Sequence, residues 1–251
     1  MLNLPGAVVA LGGLLVLVHV GRGLLSPRED LAWLLDLAFV PARFAVAFGG
    51  ATPDAVAGAL LERGEEGRAL LPLAAAVLAD GEGRPWTAAT YALLHASWAH
   101  LGTNVLWLAA FGSPVARRLG AIRFLVLALA AALGGALAQF AAGPLRVEPM
   151  IGASGAVSGL MAAAAWFVFA PVPPWAEGRP VHERPRQGPA ALLANPRVLA
   201  FLAVWLAIDV AVGLLAGPLG IMGGAIAWQA HIGGLLAGLA LFPLLDRGPT
   251  A

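Results

Sequence analysis

The sequence predicts an all-α, polytopic membrane protein, a bundle of six transmembrane helices with a long membrane-associated first loop. Three observations lead there. The 251 residues are 60% hydrophobic and only 12% charged, with a mean hydropathy of +0.83, whereas an ordinary soluble domain carries about 25% charged residues. Six stretches stay apolar over the roughly 20 residues that a helix needs to cross a bilayer core. The one long stretch between them that is too charged to span has apolar faces at helical spacing.

The spans are expected at 4–21, 96–116, 121–142, 151–170, 197–217 and 227–245. The first has no basic stretch before it and no small-residue cleavage site after it, so it reads as a retained span rather than a leader peptide. Residues 22–94 mix apolar patches such as 42–48 and 70–78 with Glu62, Glu65, Glu66, Asp80 and Glu82. They read as short helices lying in the interface or packed on the bundle. Residues 171–196 are rich in Pro and Gly and read as an irregular cytosolic linker, in which His182 has no assigned role.

Arginines orient the bundle, because positively charged short loops stay on the cytoplasmic side. All fifteen basic residues are arginine. Arg117 and Arg118 follow the second span, and Arg179, Arg184, Arg186 and Arg197 follow the fourth, so those loops are expected inside and both termini with them. Arg22 then falls outside, against the rule. A net charge of +1 suggests no nucleic-acid partner, and the absence of cysteine removes disulfides, thiolate metal sites and cysteine nucleophiles.

In this topology spans two, four and six all start at the outer face, and their first turns hold the polar residues. Span two opens with His95, His100 and Asn104. His100 and Asn104 are one turn apart on one helix face, whereas a helix running through both histidines would point His95 about 140° away from His100. Span four opens with Gly152-Ala153-Ser154-Gly155 and continues to Ser158 and Gly159. Span six carries His231, then Gly234 and Gly238. Gly155 with Gly159, and Gly234 with Gly238, are small-x-x-x-small seams that allow two helices to approach closely. Ser154 and His231 sit at the same end of those seams, so the two are expected within hydrogen-bond reach. A serine beside a neutral imidazole is an activated nucleophile. A helix start at Ser154 offers free backbone N–H groups to a developing oxyanion, and His100 and Asn104 lie where they can add side-chain donors.

His95-x4-His100-x3-Asn104, Gly152-Ala153-Ser154-Gly155 and Ala230-His231-x2-Gly234-x3-Gly238, in that order on spans two, four and six, resemble the rhomboid intramembrane serine proteases. The resemblance implies one rhomboid transmembrane domain over 1–251, with 22–94 as the membrane-dipping outer loop. It implies Ser154 as nucleophile and His231 as general base in a dyad without an acid. His100, Asn104 and the Ser154 N–H would form the oxyanion hole, and His95, Gly152 and Gly155 would support it. It implies neither cofactor nor metal, transmembrane proteins as substrates, and residence in a bacterial inner (plasma) membrane. Trp86 matches the tryptophan of the family's Trp-Arg pair. Thr87 stands where that pair has arginine, and Ser158 stands where many members have tyrosine.

Other readings fit less well. A catalytically silent rhomboid-like protein that binds transmembrane helices would be expected to lose Ser154 or His231, and both are present. A zinc hydrolase on His95, His100 and His231 lacks a carboxylate at ligand spacing. The elbow of soluble hydrolases needs glycine where Ala156 stands. Asp209 on span five could serve as a triad acid, but the resemblance implies a dyad. Glu148 reads as a solvated loop charge.

Overall fold

The computed structural model describes residues 3–215 and 227–249, without the side chains at 209 and 212–215. The predicted end of the fifth span at 217, and the loop running to 226, lie outside the described residues. A segment in lipid must satisfy its own backbone, which restricts an open chain to helix. Among the described residues there is no strand, only one isolated bridge between Phe39 and Met150.

Helix α1 spans Gly6–Gly23. The first loop folds into α2 (Pro27–Leu37), α3 (Pro41–Ala47), α4 (Pro53–Glu62), α5 (Gly64–Leu78) and the short α6 (Thr87–Thr90). Local chemistry starts these helices. Pro27 takes the first position of α2, where its missing N–H costs nothing, and Ser26 and Glu29 form a reciprocal capping box. The Thr52 hydroxyl accepts from Ala55 N at the start of α4. Their apolar faces pack as expected: Ala42, Val56, Leu60, Ala74 and Val147 form a small core under the loop.

The second predicted span is a continuous helix over 98–119 with a π segment inside it. It begins at α7 (Trp98–Trp107), widens into a π turn over Leu108–Gly112 and resumes as α8 (Ser113–Leu119). Pro114 cannot donate to the turn before it and its ring crowds that carbonyl, which favours a widened turn at this point. Helix α9 (Ala121–Ala142) matches its predicted bounds. Helix α10 (Ser154–Val168) is shorter than the predicted 151–170, about 22 Å at 1.5 Å per residue. Every residue from Gly155 to Phe167 is buried, so α10 is the central helix and does not face lipid. The linker is less irregular than expected, holding two 3₁₀ turns and α11 (Pro189–Ala194). Then follow α12 (Pro196–Leu215) and α13 (Trp228–Leu245).

Among the described residues three helices, α1, α9 and α13, are long and apolar enough to cross a membrane by themselves. Leu17, Ile122, Leu137 and Leu236 project outward from these three helices, as expected where the surroundings are lipid. The chain is an integral membrane protein.

The bundle core is α9, α10 and α13 in mutual contact. Glycine permits the approach. A Cβ on Gly234 would fall on the Gly155 carbonyl, and one on Gly238 would fall on the Gly159 carbonyl. A second seam, not anticipated from the sequence, joins α9 to α13: a Cβ on Gly134 would lie 2.8 Å from the Gly233 oxygen, and one on Gly135 2.9 Å from the Ala230 oxygen. At the opposite end of the bundle the Arg118 and Asp246 side chains are both buried and paired at 2.8 Å, with Arg186 at 3.3 Å. Two arginines and the Phe167 ring, 4.8 Å from the Arg118 guanidinium, make that burial tolerable.

Candidate active site

Ser154 is the first residue of α10 and His231 lies in the first turn of α13. The Gly155–Gly234 contact sets the two helix starts side by side, and His231 Nε2 lies 2.6 Å from Ser154 Oγ. His231 is 8% exposed. The first N–H groups of α10 have no acceptor within the helix, so the dipole and free donors converge on the side of Ser154.

The loop before Ser154 is held open by glycine. Gly152 has φ +122, a conformation that side chains avoid, and a Cβ there would lie 2.8 Å from His100 Nε2 and 3.7 Å from Ser154 Oγ. His100 and Ser154 therefore line the same small space beside Gly152. Ala96 N donates to His100 Nδ1 at 3.4 Å, from which we assign the proton of the neutral ring to Nε2, on the side of that space. Asn104 is buried and uses one Nδ2 hydrogen on the His100 carbonyl at 2.9 Å, which leaves its second hydrogen to give.

His95 departs from the sequence expectation. It does not share a helix with His100, because residues 94–97 are non-helical and Ser97 caps α7 by accepting from His100 N. The two rings consequently meet edge to face, 5.0 Å apart, instead of diverging. His95 Nε2 accepts from Ala153 N at 3.4 Å, which ties it to the residue before the serine.

Glu148 is half-exposed but not merely solvated, since it pairs with Arg63 at 2.8 Å and so links α4 to the serine loop. The Phe39–Met150 bridge and the Ala42 N to Arg146 O bond tie the start of α3 to the same loop through backbone. Ser158 is fully buried and its Oγ has no hydrogen-bond partner among the described residues. The side chain of Asp209 lies outside the described residues.

Sequence reasoning missed Tyr91, the one tyrosine in the chain. It is buried beside Gly135 and Gly155, its hydroxyl donates to Ala132 O at 2.8 Å, and its carbonyl accepts from Gly152 N at 3.0 Å. Its position just before the His95 motif was the available signal.

Thr87, where arginine was expected, donates locally to Arg84 O. The first loop is anchored by two other arginines. Arg43 is buried and donates to Val77 O at 3.2 Å and Leu35 O at 2.6 Å; burial, with Arg84 beside it, lowers its pKa below the usual guanidinium value. Arg84 pairs with Asp36 at 3.0 Å and with Asp80, and Trp86 Nε1 donates to Asp36 O. Among the described residues no three His, Asp or Glu side chains gather as a metal site.

Residues 82–247, more than half of the chain, match the family described as the Rhomboid domain. The chain belongs to the rhomboid family. Among its relatives, the rhomboid protease GlpG of Pectobacterium atrosepticum is 32% identical over 158 residues, 62% of this chain and 47% of that protein. The GlpG of Serratia proteamaculans is 31% identical over 157 residues, 62% of this chain and 46% of that protein. The rhomboid protease GluP of Bacillus subtilis is 40% identical over 82 residues, 33% of this chain and 16% of that protein. The matched stretch thus spans less than half the length of each of these rhomboid proteins.

Proposed function

We propose that this rhomboid is an intramembrane serine endopeptidase that hydrolyses peptide bonds in or near transmembrane segments. The observation that carries the reading is the 2.6 Å approach of His231 Nε2 to Ser154 Oγ at the start of the central helix. In this mechanism Ser154 Oγ attacks the scissile carbonyl carbon while His231 Nε2 takes its proton and then returns it to the leaving amine. The tetrahedral oxyanion accepts from the Ser154 N–H, His100 Nε2–H and the second hydrogen of Asn104 Nδ2. Water then attacks the acyl-enzyme carbonyl, His231 again takes the proton, and Ser154 Oγ leaves with it. His95 and Gly152 keep the donor side in register.

The substrates are single- or multi-span proteins whose helices carry small or helix-breaking residues near the end that enters the site, because such helices unwind at least cost. The chain acts as one transmembrane unit in a bacterial inner membrane, with both termini cytoplasmic and the site open to the outer face. The test is incubation of detergent-purified wild type, Ser154→Ala and His231→Ala with a model single-span protein. Cleavage by the wild type alone is expected; cleavage that survives in Ser154→Ala overturns the assignment.

A further inference from the structure

We infer that Arg22, at the end of α1, is a positioning residue for this site and acts through His95; the kinetic part of the inference rests on the protease reading above. Arg22 is the charge that runs against the orientation rule, and its contacts supply a reason for keeping it. Its Nε and Nη2 donate to the two carboxylate oxygens of Asp30 at 2.7 and 3.0 Å, and its Nη1 donates to the His95 carbonyl at 3.1 Å. Asp30 lies in the first turn of α2, which the Ser26–Glu29 capping box fixes in place. The planar guanidinium fork can hold a carboxylate and a carbonyl together, which a lysine ammonium does with less directional control.

His95 is therefore gripped at both ends. Arg22 holds its carbonyl, while its ring accepts from Ala153 N and lies against His100. Through those two ring contacts it touches both the residue that caps α10 and the histidine beside Gly152. His95 is 1% exposed, and on the side of its Arg22 contact His19, Arg22, Asp30, His95 and Trp98 border an open cavity of about 410 Å³. Without Arg22 the His95 carbonyl loses its donor on the side of that cavity, and the backbone that carries the ring against Ala153 and His100 loses that anchor. Small misplacements of a reacting or donor group cost roughly ten- to a hundredfold in rate.

The test uses the full chain in detergent and two readouts. Arg22→Gln is expected to lower kcat about tenfold with KM within about twofold, and Arg22→Lys to recover part of the loss. Asp30→Asn is expected to cause a smaller fall, and none when added to Arg22→Gln. Arg28→Gln, on the exposed side of α2, is the matched control and stays at wild-type activity. The second readout is the ¹⁵N spectrum of the histidine imidazoles, in which the His95 signals move in Arg22→Gln and return toward their wild-type position in Arg22→Lys. An unchanged kcat with unmoved His95 signals overturns the inference, as does a lower kcat with unmoved signals, because Arg22 then acts elsewhere. If the wild type shows no Ser154-dependent cleavage, the protease reading fails on its own, and the His95 signals alone decide the role of Arg22.

Discussion

Gly234 on α13 lies so close to Gly155 on α10 that a methyl group at position 234 would overlap the Gly155 carbonyl oxygen. One residue before Gly155 is Ser154, and three before Gly234 is His231. The seam that brings the backbones together therefore also sets the distance between hydroxyl and imidazole.

Gly234→Ala should push the two helices apart, costing about 1–3 kcal/mol of stability through overpacking. It should cost turnover more heavily, roughly a hundredfold, because the separation acts directly on the Ser154–His231 distance. Gly13→Ala is the control, since nothing lies within 4 Å of a Cβ there. Thermal unfolding in detergent and turnover on one preparation check both statements; equal behaviour of the two variants contradicts them.

Gly152→Ala should leave the fold nearly intact and still abolish most activity. Its positive φ is strained for alanine, and the new methyl would press on His100 Nε2. The strain is about 1–3 kcal/mol, so the variant should still unfold cooperatively, with kcat reduced far more than the melting temperature.

Asn104→Ala should lower kcat about a hundredfold, near 3 kcal/mol, with little change in KM, as expected for a donor used only when the oxyanion forms. Asp209→Ala should stay within about twofold of wild type. Equal damage from Asp209→Ala and His231→Ala would rule out a dyad without an acid.

Arg43→Ala should loosen the first loop. It removes two charged hydrogen bonds, leaving the Val77 carbonyl without its arginine donor and the Leu35 carbonyl with only the 3.3 Å bond from Arg84 Nη1, a loss of about 3 kcal/mol. Hydrogen exchange should accelerate at residues 33–38 and 74–79 and not in α9 or α10. Uniform protection across the loop would show that Arg84 alone is enough.

The parts of this structure that could be read from its sequence are those governed by a periodic or compositional signal. Helix α9 was legible to the residue because an uninterrupted apolar run leaves one solution in lipid, and the α10–α13 approach was legible because glycines four apart mark a seam on each helix. What was not legible depends on local backbone or on partners far away in sequence. His95 was misplaced because the periodicity argument ran the helix through Ser97, a hydroxyl that instead caps it. The π turn at Leu108–Gly112 follows from Pro114 but cannot be told in advance from a kink. The Gly134–Gly233 seam was hidden in a helix so rich in small residues that no pair stood out. Arg22 entered the sequence reading only as a charge against the orientation rule and Arg84 did not enter it, and only their neighbours in space reveal what they hold. The shortness of α10 escaped because a fully buried central helix and a lipid-facing one have the same apolar sequence.

The most direct measurement is intact-mass and peptide mapping of the protein after exposure to a fluorophosphonate, which labels serines only when a neighbouring base activates them. Wild type should gain a single adduct, located on Ser154, and His231→Ala should lose it while retaining its unfolding temperature. An adduct on Ser158 or Ser97, or undiminished labelling of Ser154 in His231→Ala, would contradict the claim that His231 makes Ser154 a nucleophile.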